Sequence, residues 1–207
     1  ELRLSSAADR PLRYVAGLYY YQGDAKTVSR DQINTTTGAP TPMTRTRDDV
    51  ENHAVFGSIE YDLAARWTAG VELRWAEDEV TVTATPAPGA PPSTAVLCNR
   101  TLCNDTTTSL TPRFSLTWRT TDDLTSYANI AKGTKPGDFN SNTPPGRDDL
   151  IPVKEETAWN FEVGVKSTVL NGRGIFNAAA YVLDLADQQL TQVVEIGNGQ
   201  TASVIQN

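Results

Sequence analysis

The stretch Trp67-Thr68-Ala69-Gly70-Val71-Glu72-Leu73-Arg74-Trp75-Ala76 decides the reading of this chain. Trp67, Ala69, Val71, Leu73 and Trp75 fall on one face, and Thr68, Gly70, Glu72, Arg74 and Ala76 on the other. A period of two is that of a β-strand, and here it separates an apolar face from a polar one. The pattern recurs in Leu110-Pro112-Phe114-Leu116-Trp118 against Thr111-Arg113-Ser115-Thr117-Arg119. It recurs again in Trp159-Phe161-Val163-Val165 against Asn160-Glu162-Gly164-Lys166.

Working outward, Asp, Asn, Gly or Pro mark tight turns at 7–11, 62–66, 120–123 and 169–173. Gly, Pro, Thr and Asn gather in long segments at 23–49, 84–107 and 135–155. Strands are expected at about 1–6, 12–23, 50–62, 66–82, 108–120, 123–134, 156–168 and 174–196. Two irregularities stand out: Phe56 falls on the polar side of its strand, and Asp184 breaks the last alternation, which a bulge near Leu183 would restore. Connections of twenty or more residues are unusual in a compact soluble domain but normal in an outer-membrane barrel, where turns alternate short and long. The fold class is therefore all-β, an antiparallel up-and-down transmembrane β-barrel segment with short periplasmic turns and long extracellular loops.

Dimensions agree. Trp67 to Trp75 advances about 27 to 30 Å, or roughly 20 to 23 Å along the membrane normal at a tilt of about 40°, close to an apolar band of about 25 Å. All four tryptophans lie near strand ends, as two interfacial girdles require: Trp67 and Trp118 by tight turns, Trp75 and Trp159 by long loops. Trp67, Val71, Leu73, Phe114, Leu116, Phe161 and Val163 are expected to face outward, and Glu72, Arg74, Arg113, Glu162 and Lys166 inward. The first and last strands, 1–6 and 201–207, are too short to span, so residues 1–207 read as an internal part of a larger barrel domain, without a plug domain.

Composition narrows the partners. A net charge of −7 and a pI near 4.7 give no basic face for nucleic acid. No apolar run of eighteen residues exists, and Glu1-Leu2-Arg3 is no signal peptide. Cys98 and Cys103 sit close together, and a local loop disulfide is favoured over incidental thiols or a metal pair. No catalytic constellation is present: His53 is the sole histidine and has no nucleophile signature beside it. Asp122-Asp123 and Asp148-Asp149 read as solvated turn and loop acids rather than a metal site, and no cofactor is expected. Gly133-Thr134-Lys135-Pro136-Gly137 lacks the Gly-Lys-Ser/Thr order of a phosphate loop. Lys132, Lys135, Arg147 and Lys154 form a basic rim able to attract an anionic chelate or lipid phosphates, with simple solvation the plainer reading.

Several stretches, in order along nearly the whole chain, resemble the barrel domain of TonB-dependent outer-membrane receptors, in particular the iron-complex and siderophore branch. They are Glu1-Leu2-Arg3-Leu4-Ser5-Ser6, Gly17-Leu18-Tyr19-Tyr20, residues 54–63, Leu110 to Thr117, Tyr127 to Asn140, Glu156 to Ser167, and Asp187-Gln188-Gln189-Leu190. The resemblance implies a plugged barrel of about 22 strands in a Gram-negative outer membrane. It also implies outer-membrane lipid, a plug from the same full-length chain, a TonB complex reached through an N-terminal region, and an iron-chelate ligand. Such a protein is not an enzyme. Two rivals remain at this stage, a passive porin or small outer-membrane barrel and a soluble extracellular β-sandwich binding module. For the latter, the sequons Asn99-Arg100-Thr101 and Asn104-Asp105-Thr106 would carry glycans.

Overall fold

The computed structural model describes residues 1–29, 44–86, 102–140, 148–197 and 200–207. In chain order the strands are β1 (Leu2–Ser5), β2 (Leu12–Ser29), β3 (Thr44–Ala64), β4 (Trp67–Pro86), β5 (Leu102–Arg119) and β6 (Leu124–Lys135). A short excursion follows, holding β7 (Asp138–Phe139), a 3₁₀ turn at Asp148–Leu150 and β8 (Pro152–Val153). Then come β9 (Glu156–Val169), β10 (Gly174–Ala186), β11 (Leu190–Gly197) and β12 (Gln200–Gln206).

Eight of these form one sheet in the order β1-β2-β3-β4-β5-β6-β9-β10, each antiparallel to its neighbour. The chain runs up and down without crossovers, and the sheet does not close, leaving β1 and β10 as its edges. The four tight turns lie at one end of the sheet. In one of them Leu170, Asn171 and Gly172 all have positive φ, at 55°, 53° and 85°, a conformation that accounts for Asn171 and Gly172 but not for Leu170.

The ladders sort the side chains into two faces. Tyr14, Ile59, Val71, Phe114, Ile130, Phe161 and Val182 are mutual partners across seven strands. The adjacent row holds Val15, Ser58, Glu72, Arg113, Ala131 and Asn160. The apolar set expected to face outward stands on one side and the charged set on the other. Val71 and Phe114 are each 48% exposed and Val163 is 58% exposed, so no second layer covers the apolar face among the described residues. That leaves no inter-sheet core for the sandwich reading. Trp67 and Trp118 stack across β4 and β5 at 5.2 Å with rings 5° from parallel, forming one girdle beside the turns.

The structure corrects three expectations. The segments 23–49 and 84–107 are not loops throughout: β2 runs to Ser29, β3 starts at Thr44, β4 runs to Pro86 and β5 starts at Leu102, so these hairpin arms project well beyond the outer girdle. The expected strand 174–196 is two strands, broken where Asp187 takes φ 51°. The bulge near Leu183 is absent, because β9 and β10 pair without a register shift from Gly174–Val169 to Ala186–Thr157. Asp184 needs no bulge; it pairs with Trp159 at the outer girdle, where an acid meets water and headgroups rather than hydrocarbon.

Pro112 leaves a mark as well. β5 pairs with β4 without interruption from Thr83–Leu102 to Trp67–Trp118, but with β6 only from Arg119–Thr125 to Arg113–Ala131. The ladder stops one residue short of Pro112, whose missing N–H can support pairing on one side only.

Candidate functional site: the polar wall and its extracellular arms

At the turn end of the polar face, Arg13 lies across β2 and β3. Its Nη1 and Nη2 donate to the two carboxylate oxygens of Asp62 at 2.9 and 2.8 Å, and its Nε donates to Glu60 at 3.3 Å. Thr68 Oγ1 also donates to Asp62, at 2.8 Å, so β4 is held to the same pair. A bidentate guanidinium–carboxylate fork fixes register as well as charge.

Midway along the face, aromatic rings lie over glycines. A Cβ on Gly17 would stand within van der Waals overlap of the Phe56 ring, and one on Gly164 would meet Tyr127. Each ring also meets a cation: Arg3 lies over Phe56 at 5.6 Å and Lys166 over Tyr127 at 5.4 Å. This explains the misplaced Phe56: the ring fills the hollow above a glycine on the neighbouring strand. Arg113 faces Glu72 across β4 and β5 at 3.7 Å. Nearer the loop end, Arg74 Nη2 donates to Asn52 Oδ1 at 3.0 Å, and Asn52 Nδ2 donates to Asp78 Oδ1. Behind this chain lie Ala54 and Ala76, 4% and 0% exposed.

Above the outer girdle the arms build a small core of their own. Val82 from β4, Cys103 from β5 and Ile151 are buried together, with Val80 and Phe139 against them. Buried Asn140 is the joint. Its Nδ2 donates to Leu150 O at 2.8 Å and Ile205 O at 2.7 Å, and its Oδ1 accepts from Ile205 N at 2.8 Å. Asn207 repeats the tie, with Lys154 N donating to its Oδ1 at 2.6 Å and its Nδ2 donating to the carbonyls of Lys154 and Asp187. The β11–β12 hairpin is thereby fastened to the β7–β8 excursion. At this site the Asp48 carboxyl sits above the usual carboxylate range, through burial first and then the nearby Asp138 and Asp49 charges.

Of the residues singled out from sequence, Cys103 lies in this core with its sulfur disulfide-bonded, while Cys98 falls outside the described residues. Lys132 pairs with Trp159, and Lys135 with Glu156. Three positions apart on one strand, they project from opposite faces. Lys154 is held through its backbone by Asn207. Arg147 lies outside the described residues. Sequence reading missed Asn140 and the Arg74–Asn52–Asp78 chain. The one sign of the first was Gly137-Asp138-Phe139-Asn140, tight-turn residues closing on a single aromatic; the second had none, since its partners lie 22 and 26 positions apart.

A one-layer antiparallel meander with a bare apolar face, a paired polar face and turns that alternate short and long is a wall segment of a transmembrane β-barrel. The chain belongs to the TonB dependent receptor-like β-barrel family, which it matches over residues 2–207. Among solved structures it is similar to the ferric yersiniabactin uptake receptor FyuA from Yersinia pestis, with a TM-score of 0.74 and 21% identity over 91% of this chain and 28% of that one. It is also similar to the siderophore receptor PiuA from Acinetobacter baumannii, with a TM-score of 0.61 and 15% identity over 97% of this chain and 32% of that one. The copper transporter OprC matches with a TM-score of 0.63 and 16% identity, over 99% of this chain and 32% of that one. The chain thus spans about a third of the length of these proteins, and at such identities the likeness is one of fold.

Proposed function

We propose that this chain is part of the wall of an outer-membrane receptor for energy-dependent uptake of a scarce ligand, an iron chelate of the ferric siderophore type. The observation that carries the reading is the family match along the whole wall, joined to a lumen face whose charges are paired across strands rather than exposed to lipid. Among the structures named above, PiuA is by name a siderophore receptor and FyuA a ferric yersiniabactin uptake receptor, which supports iron over other cargo. The work of such a wall is recognition and passage, not bond chemistry. In this reading the full-length protein sits in a Gram-negative outer membrane, a plug from the same chain fills the lumen, and a TonB complex engages an N-terminal region. Cys98 pairs with Cys103 to pin the β4–β5 arm, and Lys135, Arg147 and Lys154 draw an anionic chelate towards the mouth.

The test uses a strain whose only receptor of this kind is the full-length protein. Uptake of radiolabelled ferric siderophores is measured with and without a protonophore, beside a copper arm. The expected result is iron accumulation that vanishes on gene deletion and on loss of the proton-motive force. Accumulation that survives the protonophore would establish a passive pore, and transport of copper alone would overturn the ligand class.

A further inference from the structure

The lipid-facing side of β2, β3 and β4 is not evenly filled. Ala16 and Gly57 are partners in one outward row, between the larger residues of the rows on either side. They floor a hollow of about 590 Å³ whose rim includes Tyr14, Ile59, Val71 and Trp75, and no charged side chain lines it. A second hollow of about 550 Å³ adjoins it towards the loops, and Val55 and Trp75 line both. The upper hollow differs in chemistry. It lies one outward row above Trp75, where Tyr20 pairs with His53 and His53 with Glu77. The Tyr20 and His53 rings are 4.9 Å apart, and Glu51 lies 3.7 Å from His53 Nε2.

An apolar slot inside the membrane band that opens at girdle height onto aromatic rings, an imidazole and carboxylates has the polarity profile of an acylated lipid. Carboxylates accept hydrogen bonds and repel phosphate, and neither lining holds a lysine or arginine. The fitting headgroup is one that donates hydroxyls and offers C–H faces to aromatic rings, which is a sugar. We infer that this face is a specific seat for one outer-leaflet glycolipid, an acyl chain lying over Ala16 and Gly57 and a sugar ring between Trp75 and the His53–Glu51 pair. The seat rests on the outer-membrane reading above but is independent of the transported ligand.

The test takes the full-length receptor, extracted in mild detergent, and identifies retained lipid by native mass spectrometry. Wild type retains a glycolipid. Ala16→Leu fills the floor and lowers its occupancy about tenfold, a loss of about 1.4 kcal/mol of affinity. Ile59→Trp covers the same slot from its rim and does likewise, should the first variant not fold. Glu51→Gln with His53→Ala weakens retention of the glycolipid. Ala69→Leu, outward but in a row nearer the turns, leaves it unchanged. The seat is refuted if a membrane-inserted receptor carries no glycolipid, carries only phospholipid, or retains glycolipid equally in Ala16→Leu and Ile59→Trp. A protein that fractionates with soluble proteins overturns the outer-membrane reading and the seat together.

Discussion

Replacing Asn140 by alanine should undock the β11–β12 hairpin from the excursion that carries β7 and β8. The side chain is only 8% exposed and joins Leu150 O, Ile205 O and Ile205 N through hydrogen bonds of 2.7 to 2.8 Å. The two bonds to Ile205 are the ones that cross to the hairpin; each contributes about 1 kcal/mol net, and a buried partner left unsatisfied adds a similar cost, so losing both weakens the docked state by about 3 kcal/mol. At about 1.4 kcal/mol per tenfold, that is roughly a hundredfold rise in the undocked population. Hydrogen exchange of the full-length receptor in detergent reads this directly: amides of β12, and Ile205 above all, should exchange about a hundredfold faster in Asn140→Ala. Asn140→Asp keeps the acceptor for Ile205 N but turns an oxygen towards two carbonyls, so it should be no better than alanine. Unchanged exchange across 200–206 in Asn140→Ala would refute the reasoning, because the joint would then be held by something other than this side chain.

Three further outcomes follow from the two-faced wall and its arms. Val71→Arg should cost about 2 to 4 kcal/mol in denaturant-titrated folding of the full-length receptor into vesicles, whereas Ser58→Arg, on the adjacent lumen row beside Glu72, should be near neutral. Equal costs would mean that the faces are not distinguished by lipid. Gly164→Ala drives a Cβ into the Tyr127 ring and should destabilise by about 1 to 3 kcal/mol, with recovery when Tyr127→Ser is added; an additive double variant would remove the ring-over-glycine contact from the account. Asp48, held above the usual carboxylate range, favours its protonated form in the folded arms. Its contribution is therefore present at low pH and fades as pH rises through its elevated pKa. Asp48→Asn should abolish that fade in the hydrogen-exchange protection of β3 and β4 above the girdle, and a pH profile identical to wild type would count against it.

What the sequence disclosed and what it withheld divide along a physical line. Alternation in Trp67 to Trp75 was sufficient to place both faces of β4, because a span through lipid leaves each outward side chain to be selected by the bilayer alone, without reference to any partner. The same autonomy makes the tight turns legible, as at Asn171-Gly172, where positive φ values select the residues locally. Above the girdle that rule lapses. Above the outer girdle β3 carries Thr46, Arg47, Asp48 and Asp49, polar in either register, so nothing in the period there separates extended strand from loop and the expected arm is too short. Phe56 violated the alternation for a reason lying on another strand, since its ring covers Gly17, 39 positions away in the chain. Asn140 was invisible for the same cause: what makes it a joint is the backbone of Ile205, 65 residues later. The extracellular arms are where specificity resides in a barrel, and there each residue answers to long-range partners. The wall can thus be read one strand at a time, whereas the arms above the girdle become readable only through pairs such as Asn140 with Ile205.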